Sequence, residues 1–107
     1  MYEVIKAIAE PTRLSILQMV RTREMSAGQI AERFQSMTRP AVSQHLGVLK
    51  KAGLLTEKRD GTSRLYKARP EGFAALREFL DEFWEPRLQK LKMVVEKESK
   101  NKRGKRD

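Results

Sequence analysis

Residues 38–53, TRPAVSQHLGVLKKAG, constrain this chain more than any other stretch. Val42, Leu46 and Leu49 fall at i, i+4 and i+7 and form one apolar stripe of an amphipathic helix. Thr38 suits the N-cap, Pro40 the first turn and Gly53 the position just past the last turn. The opposite face carries Pro40, Gln44, Gly47 and Lys51, with Ser43 on its flank. These are mostly uncharged donors and acceptors in place of the Glu–Lys pairs of an ordinary solvated helix. A helix so made can pack by one side and offer the other to base edges in a groove. The plain alternative is an exposed helix with a polar surface, so the flanking sequence decides.

Upstream, Ser26-Ala27-Gly28-Gln29 has the form of a capping box, Ser reaching forward and Gln back. It opens a helix expected to reach about Phe34, with Ile30, Ala31 and Phe34 inward, and Gln35-Ser36-Met37 is the turn into Thr38. Two helices joined in this way, the second with a polar outer face, make a helix-turn-helix. Before them, residues 2–9 read as a short helix with Val4, Ile5 and Ile8 on one side. Pro11 starts a second helix, expected to run to about Arg23. Its Leu14, Ile16, Leu17, Met19 and Val20 spread round the circumference and make it central to the core.

Beyond Gly53 the hydrophobic period changes. Residues 54–59 and 64–68 read as strands around Asp60-Gly61-Thr62-Ser63, a strong hairpin signal. Leu55, Leu65 and Tyr66 need packing partners, so part of this ribbon closes the core. Lys58, Arg59 and Arg64 cluster near its tip, where they suit a phosphate or minor-groove contact.

From Pro70 a long helix is expected to about Lys97. Its apolar positions Phe73, Leu76, Leu80, Phe83, Trp84, Leu88, Leu91 and Val95 mostly follow spacings of three and four. That stripe is longer than a domain of this size covers by itself. A second copy of the same helix is the economical partner, so a two-fold dimer is expected. Pro86 cannot donate to the Glu82 carbonyl and is expected to kink or split the helix near residues 84–86. The aromatic group Phe79, Phe83 and Trp84 reads as core packing in preference to a ligand pocket.

A chain of 107 residues is enough for one domain with a small core. Its 23 Lys and Arg against 14 Asp and Glu leave a formal charge of +9. That balance suits a polyanion, nucleic acid ahead of an anionic membrane. Without cysteine there is no disulfide framework and no thiolate metal site. No apolar run reaches the roughly 20 residues of a membrane span and no signal-peptide pattern opens the chain, so the expected compartment is the cytoplasm. Residues 98–107, ESKNKRGKRD, read as a disordered basic tail, either a phosphate-binding arm or a solvated end. Residues 1–97 are then one domain whose dimerisation helices are 1–9 and 70–97.

Four stretches, KAIAEPTRLSIL (6–17), SAGQIAERF (26–34), RPAVSQHLGVLKKAGLL (39–55) and RDGTSRLYK (59–67), together resemble the ArsR family of bacterial winged-helix repressors across roughly residues 2–69. The resemblance implies a homodimeric DNA-binding regulator, usually a repressor released by a signal, joined through its first and last helices. Many members sense metals through Cys pairs on the helix-turn-helix or through His, Asp and Glu sets on the terminal helices. Here there is no Cys, and the one histidine is His45 in the run Ser43-Gln44-His45-Leu46. It reads as a helix-packing or DNA-facing residue. Glu78, Asp81, Glu82 and Glu85 read as a solvated face, since carboxylates alone would bind hard cations weakly. The chain resembles the members that lack the metal motifs, so neither metal nor cofactor is expected, and the effector is unknown.

The expected fold is mostly α with a small β-hairpin, a winged helix-turn-helix with a long C-terminal dimerisation helix. The expected activity is sequence-specific binding of double-stranded DNA by a dimeric repressor, on a near-palindromic operator, through the 38–52 helix and the 59–64 wing. The contact candidates are Thr38, Arg39, Pro40, Ser43, Gln44, His45, Lys50 and Lys51 on the helix, with Arg59, Thr62, Ser63 and Arg64 on the wing. The dimer candidates are Val4, Ile5, Ile8, Leu80, Phe83, Trp84, Leu88 and Leu91. The alternative, a winged helix serving as a protein-interaction module, wants apolar or acidic anchors that Pro40, Ser43 and Gln44 beside Arg and Lys do not supply. An enzyme would need a nucleophile–base pair, paired carboxylates, a phosphate-binding glycine loop or a metal set, and no such motif stands out.

Overall fold

Ile16, Val20, Met25, Ile30, Val42, Leu46, Leu49 and Leu54 are all but removed from solvent, and the elements that carry them define the architecture. The computed structural model describes residues 1–84 and 93–96. In chain order the elements are α1 (Tyr2–Ile8), α2 (Pro11–Met19), β1 (Met25–Ser26), α3 (Ala27–Glu32), α4 (Arg39–Lys51), β2 (Leu55–Asp60) and β3 (Ser63–Ala68). A 3₁₀ turn (Pro70–Phe73) and α5 (Ala74–Asp81) follow. Met1–Leu76 forms one unit and Arg77–Asp107 a second.

Local chemistry sets the ends of the helix-turn-helix. The Ser26 hydroxyl accepts the Gln29 N–H at 3.2 Å while Gln29 Oε1 accepts the Ser26 N–H at 2.9 Å, the capping box expected at that site. Thr38 Oγ1 accepts the Ala41 N–H at 3.2 Å and starts α4. At the other end Gly53 adopts φ +79°, its N–H donates to Lys50 O and the Leu54 N–H to Leu49 O, both at 3.0 Å. This pair of bonds is the Schellman closure, which favours glycine at that position. Val42, Leu46 and Leu49 face the core, as their spacing requires.

Several expectations need correction. The second helix stops at Met19, short of Arg23, and Leu14 is 44% exposed, so this helix is buried on one side only. The Val20 carbonyl accepts the Ala68 N–H at 2.9 Å, which turns the chain from helix toward sheet. Met25 and Ser26 then pair with Tyr66 and Leu65, giving a three-stranded antiparallel sheet of order β1-β3-β2 where two strands were expected. α3 ends at Glu32, and Phe34 packs against the core from the following turn. Asp60 pairs with Ser63, leaving Gly61-Thr62 as a two-residue loop. Gly61 has φ +64° and no non-glycine among the described residues has positive φ, the pattern of a type II′ hairpin turn.

The helix expected from Pro70, kinked or split near residues 84–86, starts later and closes earlier than that. It opens as a 3₁₀ turn, and α5 closes at Asp81 through tight bonds from Phe83 N–H to Leu80 O and Trp84 N–H to Asp81 O. Residues 93–96 are helical. Pro86, Leu88, Leu91 and the tail 98–107 lie outside the described residues. The start of this segment is seated by backbone contact: a Cβ on Gly72 would fall 2.1 Å from Gly53 O. The Arg69 N–H donates to Leu54 O at 2.8 Å beside it.

Candidate nucleic-acid interface

The exposed side of α4 carries Pro40, Ser43, Gln44, Gly47 and Lys51, in agreement with the rotation set by its buried stripe. One flank of the helix looks toward the wing. There Ser26, Ala27, Arg39, Ser43, Thr62, Ser63, Arg64 and Tyr66 line an open concavity of about 320 Å³. Arg39 reaches it from the first turn of α4, with its guanidinium against Gly28 of α3. The groove is polar and cationic, suited to an anionic backbone approaching the first turn of a helix. Thr38 sits at that turn as its cap.

Arg59 and Arg64 are directly opposed across the hairpin. Like charges facing one another in this way disfavour the ribbon unless an anion lies near them. On the same face, one pair inward, Glu57 is opposed to Tyr66. Glu57 Oε2 accepts from Lys50 Nζ at 3.1 Å, and its other oxygen lies 3.6 Å from Arg64 Nη1. Lys50 and Arg64, both DNA candidates, therefore share one carboxylate that links the end of α4 to the wing. Lys50 above all, against the opposing effect of burial, and then Arg64 hold the Glu57 carboxyl below its ordinary value. Burial first, with the Glu57 charge second, pushes the Tyr66 phenol up. Sequence reading passed over Glu57, because one acid in a basic ribbon looks like a solvated charge.

His45 is the candidate whose placement departs most from expectation. It is half-buried on the flank away from the wing, with Nδ1 3.3 Å from Arg13 Nη1 and 3.9 Å from Glu10 Oε2. The packing role stands, and His45 is not among the residues lining the wing groove. Arg13, missed in the sequence, also donates to the carbonyls of Ala7 and Lys6 at the end of α1. Lys51 borders a second groove, of about 250 Å³, with Glu3, Lys6, Ala7, Arg13, Val48 and Ala52.

Of the dimer candidates, Val4 is only 7% exposed inside its own core and cannot serve as an interface residue, while Ile8 packs partly against that core. Ile5 remains exposed, with Tyr2 and Met1 beside it in sequence. In the second unit Leu80, Phe83 and Trp84 are exposed, and Phe79 and Phe83 meet edge to face at 5.1 Å between ring centres. The aromatic group is thus surface and not core. Among the described residues no group of three His, Cys, Asp or Glu is placed to hold a metal, Glu85 lying outside them. No helix among them is long and apolar enough to cross a membrane.

Comparison with known proteins follows the same outline. A family model described as a helix-turn-helix domain matches residues 8–58. The HTH-type transcriptional regulator Rv2034 of Mycobacterium tuberculosis is 40% identical over 93 residues, covering 87% of this chain and 86% of that protein. The transcriptional repressor SdpR of Bacillus subtilis is 43% identical over 61 residues, 57% of this chain and 67% of its own. A solution structure of Mb0332 from Mycobacterium bovis, described as a homodimeric winged helix-turn-helix DNA-binding domain of a possible ArsR-family regulator, superposes with a TM-score of 0.62. It is 31% identical, covering 78% of this chain and 81% of that one.

Proposed function

The chain belongs to the ArsR family of winged helix-turn-helix transcriptional regulators, and on that footing we propose that it is a homodimeric repressor that binds a near-palindromic operator. One observation carries the reading at residue level: the exposed face of α4 is continuous with a cationic groove running to the wing tip. Two copies of α4 would enter successive major grooves with half-sites about 10 base pairs apart. Gln44, exposed on α4, would bond an adenine edge, with Ser43 reaching base or phosphate from the flank. Thr38, Arg39 and the amides of the first turn of α4 anchor phosphates. Arg59, Thr62, Ser63 and Arg64 carry the contact onward along the backbone. Occupying a promoter in this way represses it. The activity is binding and not catalysis, and a regulator of this kind works in the cytoplasm, where its DNA lies.

The test is fluorescence anisotropy on a duplex selected from a randomised pool by the protein itself, against a scrambled duplex, across a salt series. Preference for the selected duplex that persists at moderate salt supports the reading. Equal, salt-labile binding to both overturns it, since that is the behaviour of charge alone.

A further inference from the structure

Glu57 is the feature of the DNA-facing surface that the function above does not use. It stands on a hairpin face otherwise furnished with Arg59 and Arg64, where a carboxylate opposes a polyanion. Its side chain is 20% exposed, against 53% for Lys50 and 59% for Arg64, so it lies beneath the two cations that it holds. Strand alternation puts it on the same face as Leu55, which packs in the core. It therefore points back toward α4.

Resting on the reading of this chain as a sequence-specific DNA binder, we propose that Glu57 is a selectivity residue that keeps Lys50 and Arg64 from engaging the phosphates of unrelated DNA. Binding to random DNA is driven almost wholly by cations that replace counterions along the backbone. A cation already held by a carboxylate contributes little to that process. In the base-reading complex the same ion pairs fix the end of the recognition helix against the wing, so less ordering is left for the binding step. Glu57 thus weakens random binding more than operator binding, and the difference is specificity. Its carboxyl, held low by Lys50, remains charged at neutral pH.

Glu57→Gln, compared with wild type on selected and scrambled duplexes across salt, tests this. Affinity for the scrambled duplex should rise roughly three- to tenfold, its salt dependence steepening by about one to two units of slope. Affinity for the selected duplex should rise less, so the ratio between them falls. Equal changes on both duplexes, or none, overturn the proposal. In a Lys50→Gln/Arg64→Gln background the Glu57→Gln effect should vanish, and its persistence would mean that the carboxylate acts through its own field and not through the cations. Loss of the thermal unfolding transition in Glu57→Gln would make the residue structural and also overturns the proposal. Wild type without any duplex preference would remove the repressor reading itself, an outcome distinct from an unchanged ratio in the variant.

Discussion

Arg13 Nη1 lies 3.3 Å from His45 Nδ1, joining the second helix to the recognition helix. The same ring nitrogen lies 3.9 Å from Glu10 Oε2, at the N-cap of the second helix. The same guanidinium donates to the Ala7 and Lys6 carbonyls at the end of α1, where Lys6 O also accepts the Ala9 N–H at 3.4 Å. One side chain thus fastens α1 and α4 to α2. Arg13→Met keeps the apolar stem and removes all three bonds. It should lower stability by about 2–3 kcal/mol and the melting midpoint by roughly 10 °C, read by circular dichroism. An unchanged midpoint would mean that water replaces the guanidinium at no cost.

Glu10 and Glu57 give the acid side of the stability curve its shape. Burial alone would raise the Glu10 carboxyl, but the Arg13 N–H, Thr12 and the charges of His45 and Arg13 outweigh it and hold the group below its ordinary value. Glu57 is held low by Lys50 first. A carboxyl lowered in the folded state binds fewer protons there than in the unfolded chain. Its contribution is therefore complete above the unfolded value and is lost as pH falls through the folded one. Stability should be level from neutrality down to about pH 5 and decline below it. Glu10→Gln and Glu57→Gln should each flatten that decline in denaturant titrations at stepped pH, and an unaltered slope in both would assign it to other carboxyls.

Gly72 touches the backbone of Gly53. A Cβ there would lie 2.1 Å from Gly53 O, 2.9 Å from its carbonyl carbon and 3.1 Å from Leu54 Cδ2. The first two atoms are main chain at the end of the recognition helix and cannot swing aside. Gly72→Ala should cost about 2–3 kcal/mol by overpacking, seen as a lower urea midpoint. Gly47→Ala is the control, since nothing lies within 4 Å of its added methyl. Alanine favours helix over glycine, so that variant should be slightly more stable.

What the sequence made legible was local. The Ser26–Gln29 box, the Thr38 cap, the Gly53 stop and the Val42, Leu46, Leu49 stripe each depend on residues a few positions apart. What escaped depends on distant pairing. β1 is two residues long and exists because β3 lies beside it, which no periodicity in Met25–Ser26 announces. Val4 and Ile5 are neighbours in an apolar run, yet one is core and the other surface, a division fixed by where α2 and α4 lie. Glu57 meets Lys50 and Arg64 only through the hairpin register and the packing of β2 on α4. The polar outer side of α4 was legible from its buried stripe, and the acid that joins the end of that helix to the wing was not.

We propose different work for Gln44 and Arg59, and the two should separate. Gln44→Ala would remove the proposed base-edge contact and should cost about 1–3 kcal/mol on the selected duplex with little effect on the scrambled one. Arg59→Ala should weaken both duplexes alike and reduce the salt slope by about one. Competition anisotropy on the two duplexes distinguishes them. Equal losses for Gln44→Ala on both would withdraw its base-reading role.

The exposed aromatic group is the last element to place. Phe83 is 73% exposed and Leu80 51%, and large apolar side chains displayed together mark an interaction surface. We propose that a second copy of α5 covers it in a two-fold arrangement, a contact that would fix the spacing of the two recognition helices. Leu80→Glu and Phe83→Glu place a charge in that contact while leaving the core of Met1–Leu76 intact. Light scattering should show the mass halving, and operator affinity should fall by roughly 10²- to 10⁴-fold, because each half-site is then bound independently. A monomer that kept its operator affinity would show that one recognition helix suffices. A dimer that survived both substitutions would move the interface away from α5, toward Ile5 and the exposed side of α1.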